Sequence, residues 1–416
     1  MKRLLLLQPL SAGAALLVLV FLTPWLTGCN DESLTAPETQ DDLFASYVAL
    51  GNSITAGFQS GGINVQTQSE SYAVLLAEQM GTPFGIPALN PPGCPPPLQS
   101  IPPQPPDTQC GLRSGTTSQV KNVAVPGAAL FDVLSNEDPN GPDLPPGPNQ
   151  LTQFVLGGRT QIQAALDANP TFATAWIGNN DVLGAANAGS VDLATSPTNF
   201  EARYRAIADS LNAAESLQGA VLVGVADVTA VPGIFPGQVY LGLAQQAGDQ
   251  LPGNFSVSST CAPNGQGGQG STNQLSFLFA LDLINQARQN PNGQFTLSCL
   301  NDDPGVLTPG ELDALSSRTT AYNNIISSIA DENGWGFYDP NGDFEALEEA
   351  GEIPQVPDFA SNQPFGQFFS LDGIHPSAST HRVVADQLVP VINQTYDDAD
   401  LSRLENVPPL PARSGQ

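Results

Sequence analysis

Residues 47–57 read YVALGNSITAG, an apolar run that stops at Gly51 and then turns through an Asn-Ser pair. A run so short, bounded by turn residues, reads as a buried strand, and the chain repeats it. SYVAL (46–50), KNVAV (121–125), TFATAWI (171–177) and GAVLVGV (219–225) have the length and composition of buried strands. Between them lie longer amphipathic stretches, SYAVLLAEQM (71–80) and NFEARYRAIADSLNAA (199–214), which read as helices. Strand and helix in alternation predict an α/β domain whose parallel sheet is covered on both faces.

The second half continues the pattern. In the segment 306–334, Thr308 is placed to cap a helix, Pro309 suits its first position, Glu311 closes a capping box, Leu307 can staple to Leu312, and Gly334 can end it. The strand WGFYD (335–339) and a last helix, SASTHRVVADQLVPVIN (377–393), complete it. Two stretches break the pattern. Residues 90–118 are too rich in proline for regular helix or central strand and read as a surface loop. Residues 232–306 read as an insertion holding a flexible NGQGGQGS loop and an apolar helical segment, LSFLFALDLINQA (275–287).

Ahead of the first strand, a short basic start and an apolar stretch lead to Leu26-Thr27-Gly28-Cys29, the pattern of an export signal. The four residues are similar to a bacterial lipobox, which implies cleavage before Cys29 and lipidation of its thiol. The expected organisation is a signal at 1–28, a tether at 29–43, one body at 44–396 with its two insertions, and a tail at 397–416. Such a chain sits in the cell envelope, on the outer membrane or periplasmic face, with its lipid as membrane partner. The formal charge of −28, with Lys2 and Lys121 the only lysines, excludes nucleic-acid binding through a basic patch.

Of five cysteines, Cys29 is the expected lipid site, which leaves Cys94, Cys110, Cys261 and Cys299, an even set in an oxidising compartment. Neighbours in sequence suggest Cys94 with Cys110 and Cys261 with Cys299, although four cysteines allow three connectivities. The chain has no Cys-x-x-Cys pair for a zinc ribbon.

Ser53 follows the first strand, and in doubly wound sheets ligands sit outside the carboxyl ends of strands. A serine there is ordinarily a turn residue. As a nucleophile it needs a base, and the chain holds two histidines. His375, in SLDGIHPSAS, follows Asp372 by three residues in a tight loop, a spacing that lets the carboxylate hold Nδ1–H while Nε2 faces outward. His381 falls inside the last helix and reads as a packed residue. Asn180, in WIGNNDVL, and Gly127, in NVAVPGAAL, stand at two further strand ends and can offer N–H donors to an oxyanion.

GNSIT, AVPGA, GNND and DGIHP resemble, in this order, the four sequence blocks of the SGNH hydrolases, the GDSL esterases and lipases. The resemblance implies a three-layer α/β/α sandwich of flavodoxin-like type with Ser53 as nucleophile, His375 as base and Asp372 as its orienter. It also implies an oxyanion hole formed by Ser53, Gly127 and Asn180, an acyl or lipid ester as substrate, and no metal or cofactor. Asn52 departs from the family's aspartate, and Thr380 stands where glycine is usual. LSFLFALDLINQA with Phe365, Phe368 and Phe369 offers an acyl-chain wall, unless the insertion merely buries its own apolar face. O-acetyl groups on glycans are the alternative substrate, and a non-catalytic envelope scaffold is the rival reading. DPNGDFE (339–345) hints at calcium but has Phe344 where the EF-hand needs glycine, and NGQGGQGS lacks the Gly-Lys ending of a phosphate loop.

Overall fold

The computed structural model describes residues 42–101, 111, 113–114, 119–135 and 150–411. Cys29, the expected signal and nearly all of the expected tether lie outside these, as does Cys110.

Four strands, Tyr47–Gly51, Phe172–Trp176, Gly219–Val223 and Gly336–Tyr338, form one parallel sheet in chain order. A fifth chain segment runs along its open edge. Ala49 N–H donates to the Lys121 carbonyl (3.0 Å), and the N–H groups of Val123 and Val125 donate to Ala49 and Gly51 (2.9 and 3.1 Å). KNVAV thus pairs in parallel through Ala49 and Asn122 as a single bridge, not the full strand expected. The ladder is interrupted at Gly51, whose N–H donates to Gln161 Oε1 (2.9 Å) where a continued parallel pairing needs the Val123 carbonyl. The buried Asn122 side chain lies off the ladder, donating to the Thr55 carbonyl (2.8 Å) and accepting from Ala124 N–H (3.3 Å). Counting that segment second, the sheet order is 2-1-3-4-5, which is flavodoxin-like and places the topological switch point between the 47–51 and 172–176 strands.

Side chains alternate across the sheet. Val48, Leu50, Ala173, Ala175, Ala220 and Leu222 pack on one face with Phe200, Tyr204, Leu315, Tyr322 and Ile326 of the Pro197–Asn212 and Pro309–Asn333 helices. Tyr47, Ala49, Phe172, Trp176 and Val221 pack on the other with Tyr72, Leu76, Leu388 and Ile392 of the Tyr72–Gln79 and Ala378–Thr395 helices. This is the α/β/α sandwich. The 309–333 helix starts on the expected Thr308 capping box with Pro309 in its first turn and ends at Gly334 in the left-handed region.

The second of the two insertions carries regular structure. In it, Ile234–Pro236, Gln274–Ser276 and Val306–Leu307 form an antiparallel sheet, and Phe277–Gln289 is the apolar helix. Cys261 and Cys299 are joined in a disulfide. Cys94 is also disulfide-bonded. Past the last helix, Ala399, Leu401 and Leu404 are buried, and Leu404 N–H donates to Asp386 (3.0 Å), so the first part of the expected tail packs onto the body. Among the described residues no helix is long and apolar enough to cross a membrane.

Candidate active site

The first strand ends where only glycine fits: a Cβ on Gly51 would stand 2.2 Å from Thr55 Oγ1 and 2.7 Å from the Trp176 carbonyl. Gln161 clamps the same peptide, accepting from Gly51 N–H and donating to its carbonyl, both at 2.9 Å. Asn52 then caps a one-turn helix, Ser53–Ala56, through Ile54 N–H (3.0 Å), and its amide donates to Asn179 Oδ1 (3.2 Å). Ser53 is therefore the first helical residue, and its N–H has no acceptor within the helix.

Ser53 Oγ lies 3.0 Å from His375 Nε2, and His375 Nδ1 lies 2.9 Å from Asp372 Oδ2. Asp372 is wholly buried. Its Oδ1 accepts from Ile374 N–H (2.9 Å), His375 N–H (2.8 Å) and Ser370 Oγ (3.2 Å), and its Oδ2 accepts from Gly61 N–H (2.5 Å). Burial opposes the charged carboxyl, but the attraction of His375 and these donors outweighs it and holds Asp372 below the usual carboxylate range. An ionised Asp372 keeps the proton on Nδ1, which leaves Nε2 to accept from the serine hydroxyl. That arrangement supplies a nucleophile, a base and a fixed tautomer.

Asn180 begins the Asn180–Ala188 helix beyond the second sheet strand and lines the same cavity as Ser53 and His375. One of its two amide hydrogens is engaged by the Ala128 carbonyl (2.8 Å), leaving the other for a ligand. Gly127 sits in that neighbouring loop at φ 79°, exposed and outside the cavity lining, and its N–H has no acceptor among the described residues. The loop is held by Asp181, which accepts from Leu130 N–H and Thr195 Oγ1, both at 2.9 Å. Burial pushes the Asp181 carboxyl up to about 6, against these hydrogen bonds.

His381 is fully buried and accepts from Tyr72 N–H at Nδ1 (3.3 Å). Burial, with the nearby His375, lowers it to about 3, so it stays neutral and packed.

Several contributors carry no sequence signal strong enough to find them. Ser60 and Gly61 both have positive φ (55° and 68°), which points Ser60 N–H at Ser370 Oγ (2.7 Å) and Gly61 N–H at Asp372. Phe58 packs its ring 4.7 Å from that of His375. The Gly61-Gly62 pair is the only hint of this turn.

The cavity holds about 310 Å³, and its apolar lining includes Ile54, Leu183, Val228, Phe344, Phe369 and Ile374. Of the expected aromatic wall, only Phe369 reaches it. Phe365 and Phe368 are buried in the core, and Phe277, Ala280 and Leu281 of the insertion helix line a separate apolar cavity with Tyr240 and Phe359. DPNGDFE forms a helix start: Asp339 accepts from Asn341 N–H (3.0 Å) and Asp343 from the Tyr338 hydroxyl (2.7 Å).

A hydroxyl, an imidazole and a carboxylate thus stand in a hydrogen-bonded line at the switch point of a flavodoxin-like sheet, an arrangement of the kind found in hydrolases. Residues 47–388 match the family described as GDSL-like Lipase/Acylhydrolase, and the chain belongs to it. It is thus a hydrolase of ester bonds. A comparison with curated proteins finds no match. Solved structures similar to the chain include an acetyl-xylooligosaccharide esterase variant from Geobacillus stearothermophilus, at 11% identity over 86% of this chain and 96% of that one, with a TM-score of 0.38. Another is LAE5, an alpha/beta hydrolase from the metagenome of Lake Arreo, Spain, at 13% identity over 86% and 100% of the two chains, with a TM-score of 0.36. Likenesses this distant carry no argument about substrate.

Proposed function

We propose that the protein hydrolyses carboxylic esters through an acyl-enzyme on Ser53. His375 takes the serine proton and returns it to the leaving alcohol, Asp372 orients the imidazole and stabilises its cation, and water then releases the acid. The oxyanion is received by the N–H groups of Ser53 and Gly127 and the free amide hydrogen of Asn180. The observation that carries this reading is the unbroken hydrogen-bonded chain from Asp372 through His375 to Ser53 Oγ. The acyl group packs on Ile54, Leu183, Phe344 and Phe369.

Fluorophosphonate labelling, with p-nitrophenyl esters of increasing chain length, tests it. Ser53→Ala and His375→Ala are expected to lose labelling and turnover, and His381→Ala to keep both if it folds. Absence of labelling in the wild type defeats the reading. O-acetyl groups on carbohydrates are a second substrate reading, supported by the amide and carboxylate side chains that line the cavity, Asn341 and Glu345 among them.

We also propose that Cys29 is lipidated after removal of residues 1–28, and that residues 29–43 tether the hydrolase body to the cell envelope. The motif Leu26-Thr27-Gly28-Cys29 supports this. Radiolabelled palmitate is expected on the wild type and not on Cys29→Ala, which is expected to leave the membrane fraction.

A further inference from the structure

Three carboxylates, Asp227, Glu345 and Glu348, line the cavity around Ser53 and His375, and among the described residues no lysine or arginine does. Asp227 is committed: it accepts from the N–H and hydroxyl of Thr229 (2.9 and 2.7 Å) and from the Ser316 hydroxyl (2.5 Å). Glu345 and Glu348 are three residues apart on the Asn341–Glu349 helix and so share one of its faces. Glu345 is exposed and Glu348 half-buried, and neither carboxylate has a hydrogen-bond or ion-pair partner among the described residues.

Past Glu348 lies a second cavity of about 290 Å³. It shares Ala230, Val231 and Glu348 with the first and adds Thr229, Gln274 and Gln355, again without a cation. The two cavities adjoin through these shared residues, Glu348 among them.

Building on the esterase reading above, we propose that Glu345 and Glu348 determine specificity by selecting esters whose remote part bears hydroxyls and no negative charge. An ionised carboxylate only accepts hydrogen bonds, so a neutral hydroxyl-bearing chain finds acceptors at Glu345 and Glu348 and both donors and acceptors at Gln274 and Gln355. An anionic chain finds no cation there and meets two like charges. The formal charge of −28 on the whole protein extends the repulsion outward.

The test uses butyrate esters that share an acyl group and differ in the alcohol: glycerol, choline and lactate. Turnover is followed by pH-stat titration for the wild type and for Glu345→Gln/Glu348→Gln. At low ionic strength the wild type is expected to prefer the glycerol ester to the anionic lactate ester by about tenfold in kcat/KM, the scale of two solvent-exposed like charges. The choline ester is expected to match or exceed the glycerol ester. Both preferences are expected to shrink towards parity in about 0.5 M salt, where the screening length is a few ångströms, and in the double variant. The double variant should keep the wild-type circular dichroism spectrum and urea unfolding midpoint, which separates charge selection from damage to the fold.

A wild type that turns over the lactate ester as well as the glycerol ester at low salt overturns the proposal, as does a preference that survives the double substitution. Equilibrium dialysis of the intact esters against Ser53→Ala reads the same order without catalysis. If the binding order holds while the wild type takes no fluorophosphonate, the esterase reading fails and this one stands. If the order is absent, this one fails.

Discussion

Replacing Asp372 by Asn probes the site at the atom where most of its geometry converges. The carboxylate accepts five hydrogen bonds, three at Oδ1 and two at Oδ2. With the amide oxygen in the Oδ1 position, the bonds from Ile374, His375 and Ser370 survive. The amide nitrogen then faces two donors, Gly61 N–H and His375 Nδ1–H. The imidazole relieves its half of the clash by moving its proton to Nε2, which turns the proton acceptor for Ser53 into a donor. A histidine held in the wrong tautomer lowers turnover by about 10⁴, or about 5.5 kcal/mol on the barrier. Gly61 N–H, which is half-buried, is left without its acceptor, at about 1 kcal/mol of stability. Single-turnover acylation by p-nitrophenyl acetate reads the first effect and urea unfolding the second. The pH dependence has a definite sign. Asp372 titrates below the usual carboxylate range in the folded protein, so its stabilisation is present at neutral pH and lost as pH falls through that lowered value. The stability gap between wild type and Asp372→Asn should therefore close on acidification. A variant that acylates within tenfold of the wild type, or a gap that does not change with pH, refutes the reasoning.

Asn52→Asp keeps the cap to Ile54 and needs Asn179 to turn its amide so that it donates; turnover is expected within about threefold of wild type, with a loss of about 1–3 kcal/mol at neutral pH for a buried carboxylate held by two donors. A kcat gain of tenfold or more would show that the charge matters to catalysis. Asp181→Asn should be more stable than wild type at pH 7.5 by up to about 3 kcal/mol and level with it near pH 4, because a carboxyl raised from 3.8 to about 6 contributes stability that is lost as pH rises through that range; parallel urea curves at both pH values would contradict this. Cys261→Ala/Cys299→Ala opens a loop of 38 residues, at about 4 kcal/mol by chain entropy. Limited proteolysis should then cut within 232–306 first, while fluorophosphonate labelling at Ser53 persists.

The parts of this site that were legible in the sequence are those where local chain geometry and chemistry coincide. Asp372 and His375 share one tight loop, so a spacing of three residues already implies their contact. Ser53 and Asn180 each follow an apolar run, and a parallel sheet brings its strand ends to one edge. What stayed hidden depends on long-range placement. Ser60 takes a left-handed conformation that its residue type does not favour, and only the docking of the 370–375 loop on it gives its N–H an acceptor in Ser370. Gln161 belongs to no motif, yet both ends of its amide hold Gly51, 110 positions earlier. KNVAV has the composition of a strand, but its ladder with the first strand is broken where Gln161 takes the Gly51 N–H, a contact that no local pattern reveals. Glu345 and Glu348 belong to no motif of a binding site, and only the fold sets their helix beside the cavity. Identity at a strand end can thus be read locally, whereas what surrounds the substrate comes from segments that meet only in the fold. Substitutions at Glu345 and Glu348 should accordingly alter which esters are taken, and those at Ser53, Asp372 and His375 whether any ester is.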